Sequence, residues 1–345
     1  MERKLELFWK NYVLPVKQPL DEWSIWRSSE QLCLGINDVK LELKNWNITS
    51  RIFVGVPGAN EYSLPPCVPQ FQAYLVGKTA RVLMIGGLLW MCLGLISMLL
   101  FYVSHDKYFL AFAGVPWIIA TILLVERYFG LNDARGLSER AMFYLWLQTA
   151  RPPRLAVLVF GSLGIVAGIG QFLLQRDLGG FDLLITKYGF YYPSVRDGEW
   201  WRIISVPMFH GSLVHFLVNF SLLVSIVPII WGMVGPVVTV GVFIVASFVG
   251  GFGQMFLGLD KSADATLGAS GGIFGLLGFI IAMNFLRDSM LPKGFGISLS
   301  GIAFLSIVGA EVLPGNVATA SHIVGLVSGG ALAFFWKNRL DVSEI

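Results

Sequence analysis

A serine and a histidine in this sequence each open a long apolar stretch, where polar side chains are costly. Ser270 is the first residue of the apolar segment 270–286, and His322 lies at the start of the segment 320–336. A serine hydroxyl becomes a nucleophile when a base removes its proton, and histidine, with a pKa of about 6.5, suits that task. The pair predicts nucleophilic catalysis, with Ser270 as nucleophile and His322 as general base.

A second polar pair opens another apolar stretch, 212–231. His215 and Asn219 are four residues apart and therefore share one face of a helix. Both can donate hydrogen bonds to a tetrahedral oxyanion, a role worth about 2.7–4 kcal/mol per donor. The alternative for Asn219 is a bond between helices, worth about 0.6 kcal/mol. His210 precedes this pair, and the alternative for it is a loop residue without a chemical role.

The glycines around Ser270 have two interpretations. Pairs spaced four apart, Gly268 with Gly272 and Gly271 with Gly275, are typical of close helix packing in membranes. The start of a helix also presents unpaired N–H groups that suit a developing oxyanion. Packing alone explains the glycines, so the catalytic interpretation depends on the partners of Ser270.

The segment that carries His322 has features that bring it close to the Ser270 segment. Gly325 and Gly329 form a small-residue face that permits close approach. Phe274, one turn after Ser270, is positioned to stack on the imidazole of His322, with lipid or core contact as the alternative. These features predict a hydrogen bond of about 2.6–3.2 Å between nucleophile and base.

Membrane helices are the elements that must position these residues. Only 14% of the chain is charged and 55% is hydrophobic, whereas soluble proteins carry about 25% charged residues. Besides His215 and His322, the one ionisable residue in the apolar stretches is Glu311, near the end of its span. The hydropathy pattern predicts eight spans: 82–103, 108–125, 155–175, 212–231, 234–258, 270–286, 295–313 and 320–336.

The polar segments complete the predicted organisation. Partial alternation at 33–36 and 39–43, around Asn37 and Asp38, predicts a small β-containing soluble domain at the N-terminus. Charges mixed with aromatic residues before Pro152 and Pro153 predict an interfacial helix. We expect an N-terminal cytosolic domain, a transmembrane hairpin, an interfacial helix with linker, a six-helix core and a cytosolic tail, at 1–81, 82–125, 126–154, 155–336 and 337–345.

The distribution of Lys and Arg predicts the orientation. The side that holds both termini carries 19 of them against 6 on the opposite side. Segment 1–81 should be discounted, because the charge of a long segment has little influence on orientation, and without it the balance is still 9 to 6. Both termini are therefore expected in the cytosol. This orientation brings Ser270, His322 and His215 to a similar depth near the outer face.

Four motifs in order resemble the rhomboid family of intramembrane serine proteases. Gly268–Ala269–Ser270–Gly271 is similar to its GxSG motif, and Ser321–Gly325 to the motif that carries its catalytic histidine. His210, His215 and Asn219 match its HxxxxHxxxN pattern, and Trp201–Arg202 resembles the pair in its first external loop. The resemblance covers about residues 155–336, and residues 1–154 have no counterpart in the minimal pattern.

The resemblance implies an all-α integral membrane fold, with a six-helix rhomboid-like core preceded by two extra transmembrane helices and the soluble domain. It implies a Ser–His dyad without an acidic member, and an oxyanion hole of His215, Asn219 and the Ser270 N–H. Phe274 stands where relatives often carry Tyr, so stacking is retained and a hydroxyl is lost. We expect no cofactor and no metal, and a multi-pass protein of the bacterial inner membrane.

The function expected is cleavage of transmembrane helices in membrane-protein substrates, within the lipid bilayer and near its outer face. The main alternative is an inactive rhomboid-like protein that binds transmembrane helices; it needs neither Ser270 nor His322. A transporter is disfavoured because the spans are almost empty of paired charges. A metalloprotease is disfavoured because HExxH is absent. The mild net charge of +3 gives no reason to expect a nucleic-acid partner.

Overall fold

Helices dominate the part of the chain that the computed structural model describes. That part comprises residues 22–27, 30–56, 62–105, 107–258, 264–287, 290–312 and 318–336. The predicted tail 337–345 and the side chain of Glu311 lie outside the described residues. The described residues form two compact units, one drawn from Met1–Thr149 and Asp288–Ile302, the other from Ala150–Arg287 and Ala303–Asp341.

An antiparallel sheet begins the first unit. Its strands are β1 (Glu22–Arg27), β2 (Glu30–Gly35), β3 (Ile52–Gly55) and β4 (Tyr62–Ser63), in the order β2-β1-β3-β4. The β1–β2 register pairs Trp23 with Leu34 and Ile25 with Leu32. This register puts Trp23 and Ile25 on the same face of the sheet, where both are buried.

The alternation at residues 39–43 does not form a strand, so that part of the sequence interpretation was wrong. Helix α1 (Ile36–Glu42) occupies this position. Val39 and Leu43 are fully buried, whereas Leu41 between them is 67% exposed. A strand would turn all three side chains to one face, but a helix turns only residues four apart inward.

The buried face of the sheet packs against helix α2 (Pro69–Ser104). Trp23 contacts Phe71 edge-on, with ring centroids 5.0 Å apart. At 1.5 Å per residue α2 is about 54 Å long, well beyond a hydrocarbon core of about 30 Å. The predicted span 82–103 is therefore its second part, and its first turns support the sheet.

A hairpin and a surface helix follow in the same unit. Helix α3 (Lys107–Val125) continues through Pro116 and packs on α2, where a Cβ atom on Gly94 would lie 2.7 Å from Trp117 Nε1. After a π-helical turn at Glu126–Gly130, helix α4 (Ala134–Thr149) covers the region predicted as interfacial.

Charged groups around α4 bind the segment that precedes helix α11 (Phe295–Val312). Arg140 forms an ion pair with Glu126 at 2.9 Å and lies over the Phe295 ring, 4.4 Å from its centroid. Glu139 Oε2 accepts the backbone N–H of Lys293 at 2.9 Å. The start of α11 is thus fixed within the first unit by a largely buried charge network.

The second unit contains most of the predicted core. Pro152 and Pro153 lie in the first turn of its first helix, where a missing N–H costs nothing, so that helix begins before the predicted span. The elements are α5 (Arg151–Leu178), α6 (Phe181–Tyr188), β5 (Phe190–Tyr191), α7 (Tyr192–Arg196), α8 (Leu213–Val234), α9 (Pro236–Leu257), β6 (Ala265–Thr266), α10 (Ser270–Leu286) and α12 (Thr319–Trp336).

Helix α10 is the centre of this unit, with residues 270–280 all buried. On one side it contacts α9, where a Cβ atom on Gly275 would lie 2.0 Å from the Ala246 Cβ. On another side it contacts α12, where a Cβ atom on Gly278 would lie 1.9 Å from the Leu326 carbonyl oxygen. The absence of a side chain at Gly275 and Gly278 therefore lets α9 and α12 pack directly against the backbone of α10.

Several described helices have the length and apolar composition of membrane spans, which confirms the predicted all-α integral membrane architecture. A helix covers each of the eight predicted spans. Among the described residues, five are long and apolar enough to cross a membrane, and two are shorter apolar helices: Pro69–Ser104, Arg151–Leu178, Leu213–Val234, Pro236–Leu257 and Thr319–Trp336, then Ser270–Leu286 and Phe295–Ile307.

Candidate active site

Ser270 is the first residue of α10 and follows a tight loop. Gly268 has φ of +106°, a conformation that side chains with a Cβ rarely adopt, and its N–H donates to the Val206 carbonyl at 3.0 Å. Ala269 caps the helix, and its carbonyl accepts the Ile273 N–H. Ser270 is only 7% exposed. The first-turn N–H groups have no acceptor within the helix, so they are available beside the serine hydroxyl.

His322 lies in the first turn of α12 and is 8% exposed. Its imidazole stacks on Phe274, with ring centroids 4.4 Å apart and planes inclined by 15°. Phe274 is one turn after Ser270, so the stack fixes the imidazole plane on the Ser270 face of α10. His322 Nδ1 is buried and has no hydrogen-bond partner in the described part of the chain.

Two glycines of α12 bring its backbone against α10. A Cβ atom on Gly325 would lie 2.2 Å from the Gly271 carbonyl oxygen, and one on Gly329 would lie 1.8 Å from that of Gly275. Real Cβ contacts are much longer, so only glycine fits at either position. The two helices therefore touch along their backbones from the turns that carry Ser270 and His322 onward.

His215 and Asn219 approach the loop before Ser270 from α8. A Cβ atom on Gly268 would lie 2.7 Å from His215 Nε2 and 3.4 Å from Asn219 Nδ2. Ser212 caps α8, its Oγ accepting the His215 N–H at 3.1 Å. Asn219 Nδ2 is buried and unpaired within the described residues. Such a donor is suited to a charge that appears only during reaction.

His210 has a defined position in the site and is not a free loop residue. Its Nε2 accepts the N–H of Ala269 at 3.4 Å, and its ring meets His215 edge-on at 5.2 Å. Burial, with a smaller effect from His215, lowers the pKa of His210 to about 4. The ring is therefore neutral near pH 7 and keeps the lone pair that the Ala269 N–H needs.

Trp201 and Arg202 lie apart from this cluster. Arg202 is buried, with Nε donating to Glu199 at 2.6 Å and Nη1 donating to the Gly189 carbonyl at 2.9 Å. Trp201 is 52% exposed and lies against the Arg202 guanidinium. Both residues belong to the segment between α5 and α8, and these contacts include no member of the cluster.

The loop between α5 and α8 is joined to the segment before Ser270 by a short antiparallel pair. Phe190 of β5 pairs with Thr266 of β6, and the Tyr192 hydroxyl hydrogen-bonds the Thr266 hydroxyl. Arg202 binds Gly189, next to β5, and its own carbonyl accepts the hydroxyl of Ser205, next to Val206. Its contacts therefore lead to the segment before Ser270 both through this pair and through the Val206 carbonyl, which accepts the Gly268 N–H. Arg202 is thus a structural residue of the loop.

Two glutamines contact the site residues, and the sequence interpretation missed both. Gln254 Oε1 accepts the N–H of Ser321, next to His322, at 3.2 Å. Gln171 hydrogen-bonds the backbone of His210. A search limited to ionisable groups passes over neutral amides. The sequence did contain one indication of Gln171: it lies on the same predicted helix face as the small residues Gly164 and Gly168, which is a face that packs against another helix.

The assembled groups suit acyl transfer. The site contains a buried serine at a helix start, a buried imidazole held by stacking, and two side chains beside the loop before the serine. These are the kinds of group that acyl transfer requires as nucleophile, base and oxyanion donors. Among the residues that the structure describes, no three His, Cys, Asp or Glu side chains converge as a metal site.

Comparison with known proteins gives consistent matches. A family model described as "Rhomboid domain" matches residues 197–339. Rhomboid protease GlpG of Haemophilus influenzae is 34% identical over 181 residues, covering 49% of this chain and 88% of that protein. Putative rhomboid protease YdcA of Bacillus subtilis is 27% identical over 153 residues, covering 44% and 74%. RHOMBOID-like protein 4 of Arabidopsis thaliana is 29% identical over 164 residues, covering 47% and 38%.

The matched region contains every residue of the candidate site. It includes α10 and α12 with Ser270 and His322, and α8 with His215 and Asn219. The match to the Haemophilus influenzae protein, which is named a rhomboid protease, has 34% identity and covers 88% of that protein. The chain is a member of the rhomboid family of intramembrane serine proteases.

Proposed function

We propose that this protein is an endopeptidase that cleaves transmembrane helices of membrane-protein substrates near the outer membrane face, through a dyad of Ser270 and His322. The observation that carries the proposal is the joint packing of the first turns of α10 and α12. Phe274 stacks on His322 one turn from Ser270, and Gly325 contacts the Gly271 backbone.

In the proposed mechanism, Ser270 Oγ attacks the carbonyl carbon of the scissile peptide bond while the His322 imidazole takes the hydroxyl proton. The oxyanion accepts hydrogen bonds from His215, Asn219 and the Ser270 N–H. The imidazolium then protonates the leaving amine, which releases one product and leaves an acyl-enzyme. Water, deprotonated by the same imidazole, hydrolyses the ester and restores Ser270.

No acidic third residue is needed to orient His322 in this proposal. Stacking on Phe274 supplies the orientation, and His322 Nδ1 has no partner within the described residues. The substrate helix must unwind locally, because an intact helix buries its peptide groups in internal hydrogen bonds. Glycine or proline near the cleaved bond lowers that cost.

A cleavage assay in proteoliposomes tests the proposal. Ser270→Ala and His322→Ala should each lower kcat on the order of 10⁶-fold, the cost of removing either residue from a serine protease. Ser247→Ala, which removes a buried hydroxyl bonded within its own helix, should remain active. Cleavage at the wild-type rate by either dyad variant would refute the dyad. An uncut substrate with the wild-type protein would favour the inactive, helix-binding alternative.

We also propose that both termini lie in the cytosol of a bacterium, with 1–81 as a cytosolic domain, 82–125 as a hairpin, 126–154 as an interfacial segment, 155–336 as the catalytic core and 337–345 as a tail. The excess of Lys and Arg on the terminal side supports this orientation. Cys33 is exposed and offers a natural probe. A membrane-impermeant maleimide should label Cys33 only after the inner membrane is permeabilised. Labelling of Cys33 in intact spheroplasts would contradict the proposed cytosolic location of the termini.

A further inference from the structure

Gln171 of α5 satisfies both backbone polar groups of His210. Its Nε2 donates to the His210 carbonyl oxygen at 2.7 Å, and its Oε1 accepts the His210 N–H at 2.9 Å. The two residues are 39 positions apart in the chain. Both ends of one carboxamide are used on one residue, so the contact fixes the position and the orientation of that residue's backbone.

The packing of α5 on α8 delivers Gln171 to this position. A Cβ atom on Gly168 would lie 2.8 Å from the Phe216 ring, and one on Gly164 would lie 2.6 Å from the Phe220 ring. Gly164, Gly168 and Gln171 follow the i, i+4, i+7 spacing of one helix face. The phenylalanine rings of α8 pack against the two glycines, where no side chain is in the way. The next turn of α5 carries Gln171, which therefore lies against the loop just before α8.

His210 in turn contacts two parts of the proposed catalytic centre. Its Nε2 accepts the N–H of Ala269, the residue before Ser270. Its ring also lies edge-on against His215, one of the two proposed oxyanion donors. A displacement of the His210 backbone would therefore move the loop before the nucleophile and an oxyanion donor together.

We propose that Gln171 is a positioning residue for catalysis, which acts through the His210 backbone on the Ala269 N–H and on His215. This inference rests on the proposed function of Ser270 and His322. Gln171 belongs to a helix that carries no member of the dyad or the oxyanion hole. Its effect is on transition-state geometry, so its loss lowers kcat and leaves substrate binding nearly intact.

The test compares Gln171→Leu with two controls in the proteoliposome cleavage assay. Gln171→Leu removes both hydrogen bonds and should lower kcat by about 10–100-fold, as misplacement of about 1 Å does, with KM within about twofold of wild type. Gln175→Leu alters the same helix one turn further and should leave kcat unchanged. Phe160→Leu weakens the α5–α8 contact at Trp231, far along the helix pair, and should lower the thermal midpoint while kcat is retained.

Gln171→Glu provides a readout that a general loss of packing does not move. The carboxylate cannot donate to the His210 carbonyl, whereas the protonated acid can both donate and accept. The ratio of its kcat to that of the wild type should therefore rise as pH falls from 8 to 5. The ratio cancels the titration of His322, which both proteins share. This variant also serves if Gln171→Leu does not fold.

Three results would overturn the inference. They are an unchanged kcat in Gln171→Leu, an equal loss of kcat in Phe160→Leu at a matched thermal midpoint, and a pH-independent ratio for Gln171→Glu. Each presupposes that Ser270→Ala is inactive in the same assay. If Ser270→Ala cleaves, the proposed dyad fails instead, so the two failures are distinguishable.

Discussion

At the scale of single residues, three buried nitrogen atoms characterise the site. His322 Nδ1, Asn219 Nδ2 and His210 Nδ1 each lack a hydrogen-bond partner in the described part of the chain. An unsatisfied buried group costs about 1–3 kcal/mol of stability. For Asn219 Nδ2, a proposed oxyanion donor, this cost is recovered in the transition state, because a preformed donor needs no reorganisation.

The Asn219 amide provides a prediction at this scale. Asn219→Leu keeps the approximate size of the side chain and removes the donor, so kcat should fall by about 10²–10³-fold with little change in KM. Thermal stability should not fall, since the substitution removes an unpaired buried donor. Steady-state cleavage and thermal unfolding check the two parts. A kcat within about threefold of wild type would remove Asn219 from the oxyanion hole.

The residue types of the site could be predicted from the sequence, but the supporting contacts could not. Ser270 and His322 stand out because polar groups in apolar spans are rare and costly. Gln171 is a neutral amide near the end of its span, and an unremarkable polar residue is tolerated there. Only the packing of α5 on α8, with Phe216 seated at Gly168, gives Gln171 its contact with His210.

At the scale of elements, the contact between α10 and α12 holds the two residues of the proposed dyad near each other. Gly325 and Gly329 allow the backbones to touch, and no larger residue fits at either position unless the backbones move apart. The helix starts that carry Ser270 and His322 are consequently set by glycines one and two turns away. The geometry of the site depends on this contact as much as on the two residues themselves.

Two neighbouring glycines of α12 form a matched test of this contact. A Cβ atom at Gly329 would lie 1.8 Å from the Gly275 carbonyl oxygen, whereas at Gly330 the nearest atom is 3.8 Å away. Gly329→Ala should destabilise the protein by about 1–3 kcal/mol, the usual cost of overpacking, and lower cleavage. Gly330→Ala should be nearly neutral. Equal thermal midpoints and activities for the two variants would contradict the account.

The positions of the membrane helices could be predicted from hydropathy, but the residues at which helices begin and end could not, because they depend on tertiary contacts. The span predicted at 82–103 belongs to a helix that begins at Pro69, because its first turns bury Phe71 and Leu75 against the sheet. The residues 39–43 alternate in sequence and yet form a helix and the turn that follows it, with Val39 and Leu43 buried. Alternation over five residues fits both structures, and the packing partner decides between them.

At the scale of the whole molecule, the chain has two compact units of different architecture, one of which contains the proposed dyad. The first unit has a sheet packed on α2 and a charge network in which Arg140 and Glu139 bind the segment before α11. Helix α11 starts in that unit at Phe295 and enters the other at Ala303. The sequence predicted an interfacial helix at 126–154. The hydrogen bonds of Glu139 and Arg140 to the Lys293 backbone join residues more than 150 positions apart, so they left no local pattern.

The central claim is that Ser270 is a nucleophile activated by His322, and labelling with a fluorophosphonate probe in native membranes tests it most directly. The probe phosphonylates an activated serine, and mass spectrometry of the labelled protein identifies the modified residue. The account predicts a single modification at Ser270 that is lost in His322→Ala and retained in His105→Asn. Modification at another serine, or labelling of Ser270 at the wild-type rate in His322→Ala, would contradict it.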